Sequence, residues 1–198
     1  MSIGRLPQVV VFHPGFIYKP RVFESYYYTF AHKGFPNEEK AISLLRKYIK
    51  WLRGFELLSK KLHIKDEYGR RISVYNLSDG QRIAVFMSLL YAISKPPMLF
   101  LIDTPEAFVH PDGLSIIADL IVHLVAEKNQ VIIATQSVEF LEELLKRGEE
   151  HDILNKTLVE RVALTKEGLV YAKGKWSGYA SRNILRELGI DLRRLFIL

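Results

Sequence analysis

The chain has 198 residues, 48% of them apolar and 25% charged, enough for one substantial core, which excludes a mostly disordered protein. It contains no cysteine, which excludes disulfide frameworks, thiolate metal sites and cysteine nucleophiles and fits a reducing compartment. The net charge of +6 fits attraction to a polyanion such as nucleic acid or nucleotide, or a solvated surface rich in Lys and Arg, because the basic residues are spread along the chain. The longest apolar run, Ile83–Ile93, contains Ser88 and is too short to span a bilayer. The opening MSIGRLPQ lacks the pattern of an export signal, so the expectation is a cytoplasmic chain with no membrane segment.

Gln8–Phe12 is a β-branched run that predicts a strand, and Pro14, Gly15 and Pro20 make His13–Pro20 a loop. Arg21–Phe30, with Tyr26, Tyr27 and Tyr28, fits either strand or helix. After Pro36 and Asn37, the residues Ile42, Leu45, Ile49 and Leu52 share one face of a helix expected over Glu38–Leu52. Apolar alternation around Glu67-Tyr68-Gly69-Arg70 predicts a hairpin of Leu62–Asp66 with Arg71–Tyr75. The polar loop Asn76–Gly80 leads into an apolar helix, Gln81–Ser94, stopped by Lys95-Pro96-Pro97. Met98–Ile102 is apolar on both faces and ends in Asp103, the pattern of a buried parallel strand. Asp112–Lys128 predicts a helix, Gln130–Thr135 a second buried strand and Val138–Arg147 another helix. Val159–Leu164 and Leu169–Lys173 flank Lys166-Glu167-Gly168 as a second hairpin, and the helix Ser181–Leu188 precedes an apolar Leu195–Leu198. The middle order of helix, strand, helix, strand, helix predicts an α/β fold with a mostly parallel sheet flanked by helices. Chemistry in such sheets sits at the carboxyl ends of the strands, where Asp103 and Gln136 are expected to share a site.

Three segments carry chemistry, each with a plainer structural reading beside it. Leu77-Ser78-Asp79-Gly80-Gln81 opens a helix: Ser78 and Asp79 suit an N-cap, Gly80 permits close backbone approach, and the free N–H groups suit a phosphate. Asp103 at a strand end suits Mg²⁺ beside nucleotide phosphates, or a turn. Thr135-Gln136-Ser137 suits a phosphate or a positioned water, or the cap of the next helix.

Together, Asn76–Gly80, the apolar helix, Pro97, the strand to Asp103, Pro105, Glu106, His110-Pro111 and the ending Ala134–Ser137 resemble the ABC-type ATPase superfamily. The nearest resemblance is to its non-transporter branch of RecF-like, structural-maintenance-of-chromosomes-like and overcoming-lysogenization-defect-type ATPases. That family's signature, Leu-Ser-Gly-Gly-Gln, matches Leu77–Gln81 except at Asp79. Its Walker B strand ends Asp-Glu-Pro-Glu ahead of Leu-His-Pro; here stand Asp103-Thr104-Pro105-Glu106 and Val109-His110-Pro111. Its switch strand ends Ala-Thr-His-Ser; here it is Ala134-Thr135-Gln136-Ser137. The match runs over Leu62–Leu145, so residues 61–198 are expected as the C-terminal lobe of such an ATPase and residues 1–60 as a strand plus helical region.

The resemblance implies a partial P-loop NTPase fold of ABC type, with β-hairpins before the signature helix and near the C-terminus. It implies ATP and Mg²⁺ as cofactors. Asn76, Ser78, Asp79, Gly80 and Gln81 would contact ATP held by a P-loop-bearing lobe or a second copy of the chain. Asp103 would support Mg²⁺ through water, and Glu106 and Gln136 are the candidate catalytic side chains. The sequence departs from that family in three places. It contains no Gly-x-x-x-x-Gly-Lys-[Ser/Thr]: Gly174-Lys175 is followed by Trp176, and Leu169 stands where the first glycine belongs. Thr104 occupies the position of the catalytic glutamate and is no general base at neutral pH, and Gln136 replaces the switch histidine. The expectation is half of an ATPase acting on nucleic acid in repair, maintenance or defence, with weak or absent hydrolysis. The alternatives are a non-enzymatic interaction module and a basic nucleic-acid-binding domain using Tyr26–Tyr28, Phe30 and Trp51. His13, His32, His63, His123 and His151 share no ligand spacing and are not expected to bind metal.

Overall fold

In the computed structural model, the doubly apolar run Met98–Asp103 (β5) is the central strand of a parallel three-stranded sheet. Its neighbours are β1 (Gln8–Phe12) and β6 (Gln130–Ala134). The structure describes residues 8–31, 37–164 and 170–188; the expected turn at Lys166-Glu167-Gly168, the tail Leu195–Leu198, His32 and Pro36 lie outside the described residues. The chain folds as two units, Met1–Thr135 and Gln136–Leu198.

In the first unit, β1 is followed by a 3₁₀ turn at Pro14–Tyr18 and by the helix α1 (Val22–Ala31), which settles the ambiguous aromatic segment as helix. Tyr26 is half-buried and packs edge-on against Phe86, 4.8 Å between ring centres, so one side of this tyrosine meets the core. The helix α2 (Glu38–Arg46) is shorter than its apolar spacing predicts. Arg46 folds back to donate to the carbonyls of Leu52 and Arg53, and a turn carries the buried Ile49 and Leu52 into a strand.

That strand, β2 (Leu52–Leu58), pairs with β3 (Lys61–Asp66) and is absent from the sequence expectation. Ser59 and Lys60, both at positive φ, make the tight turn between them. The expected hairpin of β3 with β4 (Arg71–Ser73) is present, turning at Gly69 (φ 75°). Asp66 braces this turn, accepting from the backbone N–H groups of Tyr68 and Arg70.

The helix α3 (Asp79–Ile93) is buried on nearly every side, which explains its lack of an exposed polar face. Fully burying each such Leu, Ile or Phe contributes about 1.5–3 kcal/mol. The helix α4 (Leu114–Ala126) makes the crossover from β5 to β6, and Asn129 ties its end to the sheet by accepting from Met98 N and donating to Leu124 O.

Helices cover one face of the parallel sheet. Phe12 stacks on Phe86 of α3 at 5.4 Å, and Met98, Phe100 and Ile102 are buried on the same side. On the other side Val9 is 52% exposed, Val11 53% and Ile132 52%, with Leu99 and Leu101 between them half-buried. The expectation that Gln130–Thr135 is a buried strand is therefore corrected. An apolar run records affinity for a core, and only tertiary coverage decides whether a core is there.

The second unit holds the helix α5 (Val138–Glu150), the hairpin β7 (Leu158–Leu164) with β8 (Val170–Ser177), and the helix α6 (Gly178–Leu188). Gly178 passes so close to Leu154 O that a Cβ would sit 2.7 Å away, so only glycine fits there. Among the described residues no helix is long and apolar enough to cross a membrane.

Candidate functional site

The start of α3 is a reciprocal cap. Ser78 Oγ accepts from Gln81 N at 3.4 Å, and Gln81 Oε1 accepts from Ser78 N at 3.2 Å. Asp79 and Gly80 occupy the first two helical positions, whose N–H groups have no intrahelical acceptor. Ser78 and Asn76 are exposed. The plainer capping role is thus real, and it leaves the Asp79 and Gly80 N–H groups without an intrahelical acceptor.

The cap is held from behind by a buried carboxylate. Glu24 of α1 accepts from Leu62 N at 2.9 Å and from the Tyr75 hydroxyl at 2.7 Å. Tyr75 lies three residues ahead of Ser78, so Glu24 fixes where the loop leaves the small antiparallel sheet. Burial, and then the Glu24 carboxylate, push the Tyr75 phenol far above the ordinary tyrosine range and keep it neutral.

In front, two loops from the carboxyl edge of the parallel sheet converge on the cap. The turn after β1 brings Tyr18, whose hydroxyl donates to Asp79 Oδ2 at 2.5 Å. The loop after β5 brings Phe108, edge-on to Tyr18 at 5.6 Å, and Val109, beside Gly80. Arg82, one turn into α3, pairs with the Asp79 carboxylate and lies over the Tyr18 ring. These contacts put the α3 N-terminus at the same end of the unit as Asp103.

Gly80 has no positive φ, and a Cβ there would meet Val109 only at 3.9 Å, an ordinary contact. Among the described residues nothing stands close enough to require glycine at this position.

Asp103 is exposed at the carboxyl tip of the central strand, in register with Ala134. Thr104 follows at φ 44°, a costly conformation for a β-branched residue, and donates its N–H to Ala134 O at 2.8 Å. Glu106 is half-buried and accepts from the Thr135 hydroxyl at 2.6 Å. Its carboxylate therefore serves as a bracket between the loop after β5 and the end of β6. Gln136 is exposed at the head of the second unit, next to Ser137, which caps α5 through Phe140 N. Among the described residues there is no group of three His, Asp or Glu side chains able to enclose a metal. The donor set offered is one exposed carboxylate, Asp103. That fits a Mg²⁺ taking its remaining ligands from phosphates and water.

The sequence reading missed Tyr18, Arg82, Phe108 and Glu24. Each is an ordinary residue in its own segment and gains meaning only through a partner elsewhere; the Tyr18–Asp79 pair spans 61 positions.

The family model described as "AAA domain, putative AbiEii toxin, Type IV TA system" matches residues 5–142. The chain belongs to that AAA-domain family. The family match thus takes in nearly all of residues 1–60 as well as Leu77–Gln81 and the strands β5 and β6. Among curated proteins, the chain is 31% identical over 118 residues to the uncharacterized protein MJECL11 of Methanocaldococcus jannaschii, covering 59% of this chain and 99% of that one. It is 41% identical over 80 residues to Arcadin-4 of Pyrobaculum calidifontis, covering 38% of this chain but only 10% of that one. Among solved structures, it resembles one from a study of "ATP-driven dimerization and DNA stimulated activation of SMC ATPases", with TM-score 0.51, 16% identity, and coverage of 86% and 95%. It also resembles the Smc head domain of Pyrococcus furiosus bound to the C-terminal domain of ScpA, with TM-score 0.53, 15% identity, and coverage of 77% of this chain and 37% of that one. This AAA-domain chain therefore has an α/β fold of the SMC-head, P-loop NTPase kind, with a parallel sheet flanked by helices.

Proposed function

We propose that this AAA-domain chain supplies the signature half of an ATP-gated clamp whose phosphate-binding loop is carried on another lobe. The observation that carries the reading is the glycine at position 80. The described residues leave room for a methyl group there, which supports a glycine kept for something that approaches from outside. Ser78 and the first-turn N–H groups of α3 would grip the γ-phosphate of ATP bound by the opposing lobe. Asp103 would hold Mg²⁺ through water at the tip of β5. ATP supplies the charged bridge that closes the two lobes. Residues 61–198 then correspond to the signature-bearing lobe, with residues 1–60 as its leading strand and helices.

The uncovered face of the parallel sheet, with Val9, Val11 and Ile132 exposed, supports an associating role, since a lone unit gains by covering it. Turnover is slow on this reading. Thr104 cannot act as a base, and Glu106 is engaged by Thr135. The setting proposed is cytoplasmic, on nucleic acid, with a P-loop-bearing partner or a second copy of the chain.

The test is co-purification of the tagged chain from its own host, with and without MgATP, followed by mass spectrometry. The expected result is a P-loop-bearing protein, or the P-loop lobe of a longer form of this one, retained only with MgATP. Ser78→Arg should abolish its retention. Association indifferent to MgATP and to Ser78→Arg favours the second reading, a module that keeps the fold and has lost nucleotide chemistry.

A further inference from the structure

The sequence places an aspartate where an incoming phosphate is least welcome. Asp79 is the first residue of α3, and a carboxylate at a helix N-terminus occupies the electropositive end that would otherwise attract an anion. Left bare, it would repel a nucleotide phosphate at close range, where water screens little. The structure does not leave it bare. Oδ1 pairs with the Arg82 guanidinium, Oδ2 accepts from the Tyr18 hydroxyl, and Arg82 in turn lies over the Tyr18 ring, 5.1 Å from its centre. Tyr18 is itself fixed by Phe108. Both carboxylate oxygens are thus turned toward protein donors. Arg82 remains under-used as a donor, because its Nε is buried and has no hydrogen-bond partner.

We infer that Arg82 and Tyr18 are positioning residues that act through Asp79: they neutralise its carboxylate and hold it aside, so that the α3 N-terminus accepts a phosphate despite the acid in its first turn. The inference rests on the reading of the α3 cap as a phosphate contact and names the residues that make this contact permissive. It assigns opposite signs to two neighbouring changes. Removing the arginine exposes an uncompensated negative charge, whereas removing the acid leaves an uncompensated positive one. A purely structural cluster would lose binding with either change.

The experiment is a titration with MgATP of the full chain mixed with the P-loop-bearing lobe that it retains, followed by the backbone amide resonances of Ser78, Asp79 and Gly80. The wild type should show saturable shifts at these amides. Arg82→Gln should weaken the apparent affinity about tenfold, and Asp79→Asn should strengthen it severalfold, with both effects shrinking as salt is raised. The double variant D79N/R82Q should return to near the wild-type value although its contact with the Tyr18 ring is still missing. If Arg82→Gln unfolds the chain, the sign of the Asp79→Asn effect still decides. Wild-type shifts that neither single variant alters overturn the inference alone. Weakening by Asp79→Asn, or no rescue in the double variant, overturns it in favour of a structural cluster. Absence of shifts in the wild type and every variant overturns the nucleotide reading and takes this inference with it.

Discussion

Thr135 donates its hydroxyl hydrogen to Glu106 Oε1 across 2.6 Å, joining the last residue after β6 to the loop after β5. The bond runs parallel to a backbone link two residues earlier, Thr104 N to Ala134 O. Thr104 sits at positive φ, so this loop needs outside restraints to keep its shape. Thr135→Val keeps the size of the side chain and removes the donor. It should cost about 1.5 kcal/mol in urea unfolding, the scale of a hydrogen bond to a charged acceptor. A change below a few tenths would mean that Glu106 is held by its other interactions alone.

Glu24 offers a sharper stability test, because its two acceptor bonds serve a buried backbone N–H and a partly buried phenol. Glu24→Ala leaves Leu62 N and the Tyr75 hydroxyl without this acceptor, at a cost of about 2–4 kcal/mol. Tyr75→Phe removes only one of the two bonds and should cost about 1 kcal/mol. Equal losses in the two variants, measured by thermal unfolding, would contradict the view that Glu24 brackets two elements at once.

How much of this was legible in the sequence depends on how local the determining physics is. The cap at Ser78 and the strand ending at Asp103 follow from spacing within a dozen residues, the crossover to β6 follows from the order of helices and strands, and each is present. The strand β2 was hidden because Ile49 and Leu52 continue the helical period of α2 and are indeed buried, through a turn instead of a helix. The partners of Asp79 were hidden because Tyr18 and Phe108 arrive from loops after two other strands. A one-dimensional pattern reports which side chains seek burial or a cap, and not which distant side chain arrives to meet them.

Gly80 separates packing from function. A methyl group there meets Val109 only at ordinary contact distance, so Gly80→Ala should leave stability unchanged or slightly raised, since alanine favours the helix. The same change should abolish MgATP-dependent retention of the partner lobe, because the added methyl stands where the phosphate must approach. Loss of stability would show that the glycine serves the fold after all. Intact retention would remove the main support for the clamp.

Alkaline stability should report on Tyr91, whose phenol is pushed up to about 12, first by burial and then by the neighbouring Glu127 carboxylate. Below pH 10 the phenol is neutral in folded and unfolded chains alike, and its contribution is fully present. Between pH 10 and about 12 the unfolded chain ionises while the folded one does not, so stability falls as the pH rises through this window. Tyr91→Phe should flatten that part of the decline when Tm is followed against pH. An unchanged slope would mean the phenol titrates normally in the folded chain.

The two faces of the parallel sheet provide the last test, because they give opposite results for similar residues. Phe100 is fully buried, and Phe100→Ala should cost about 3–5 kcal/mol. Ile132 is 52% exposed on the opposite face, and threonine keeps its β-branched shape. Ile132→Thr should therefore fall within about 0.5 kcal/mol of the wild type in urea unfolding of the isolated chain. A cost for Ile132→Thr approaching that of Phe100→Ala would mean that the face is covered in solution, and a concentration-dependent midpoint would identify the cover as a second copy. If the cost stays small in the isolated chain and appears only in the MgATP-bound complex, the exposed face belongs to the surface that the partner lobe closes.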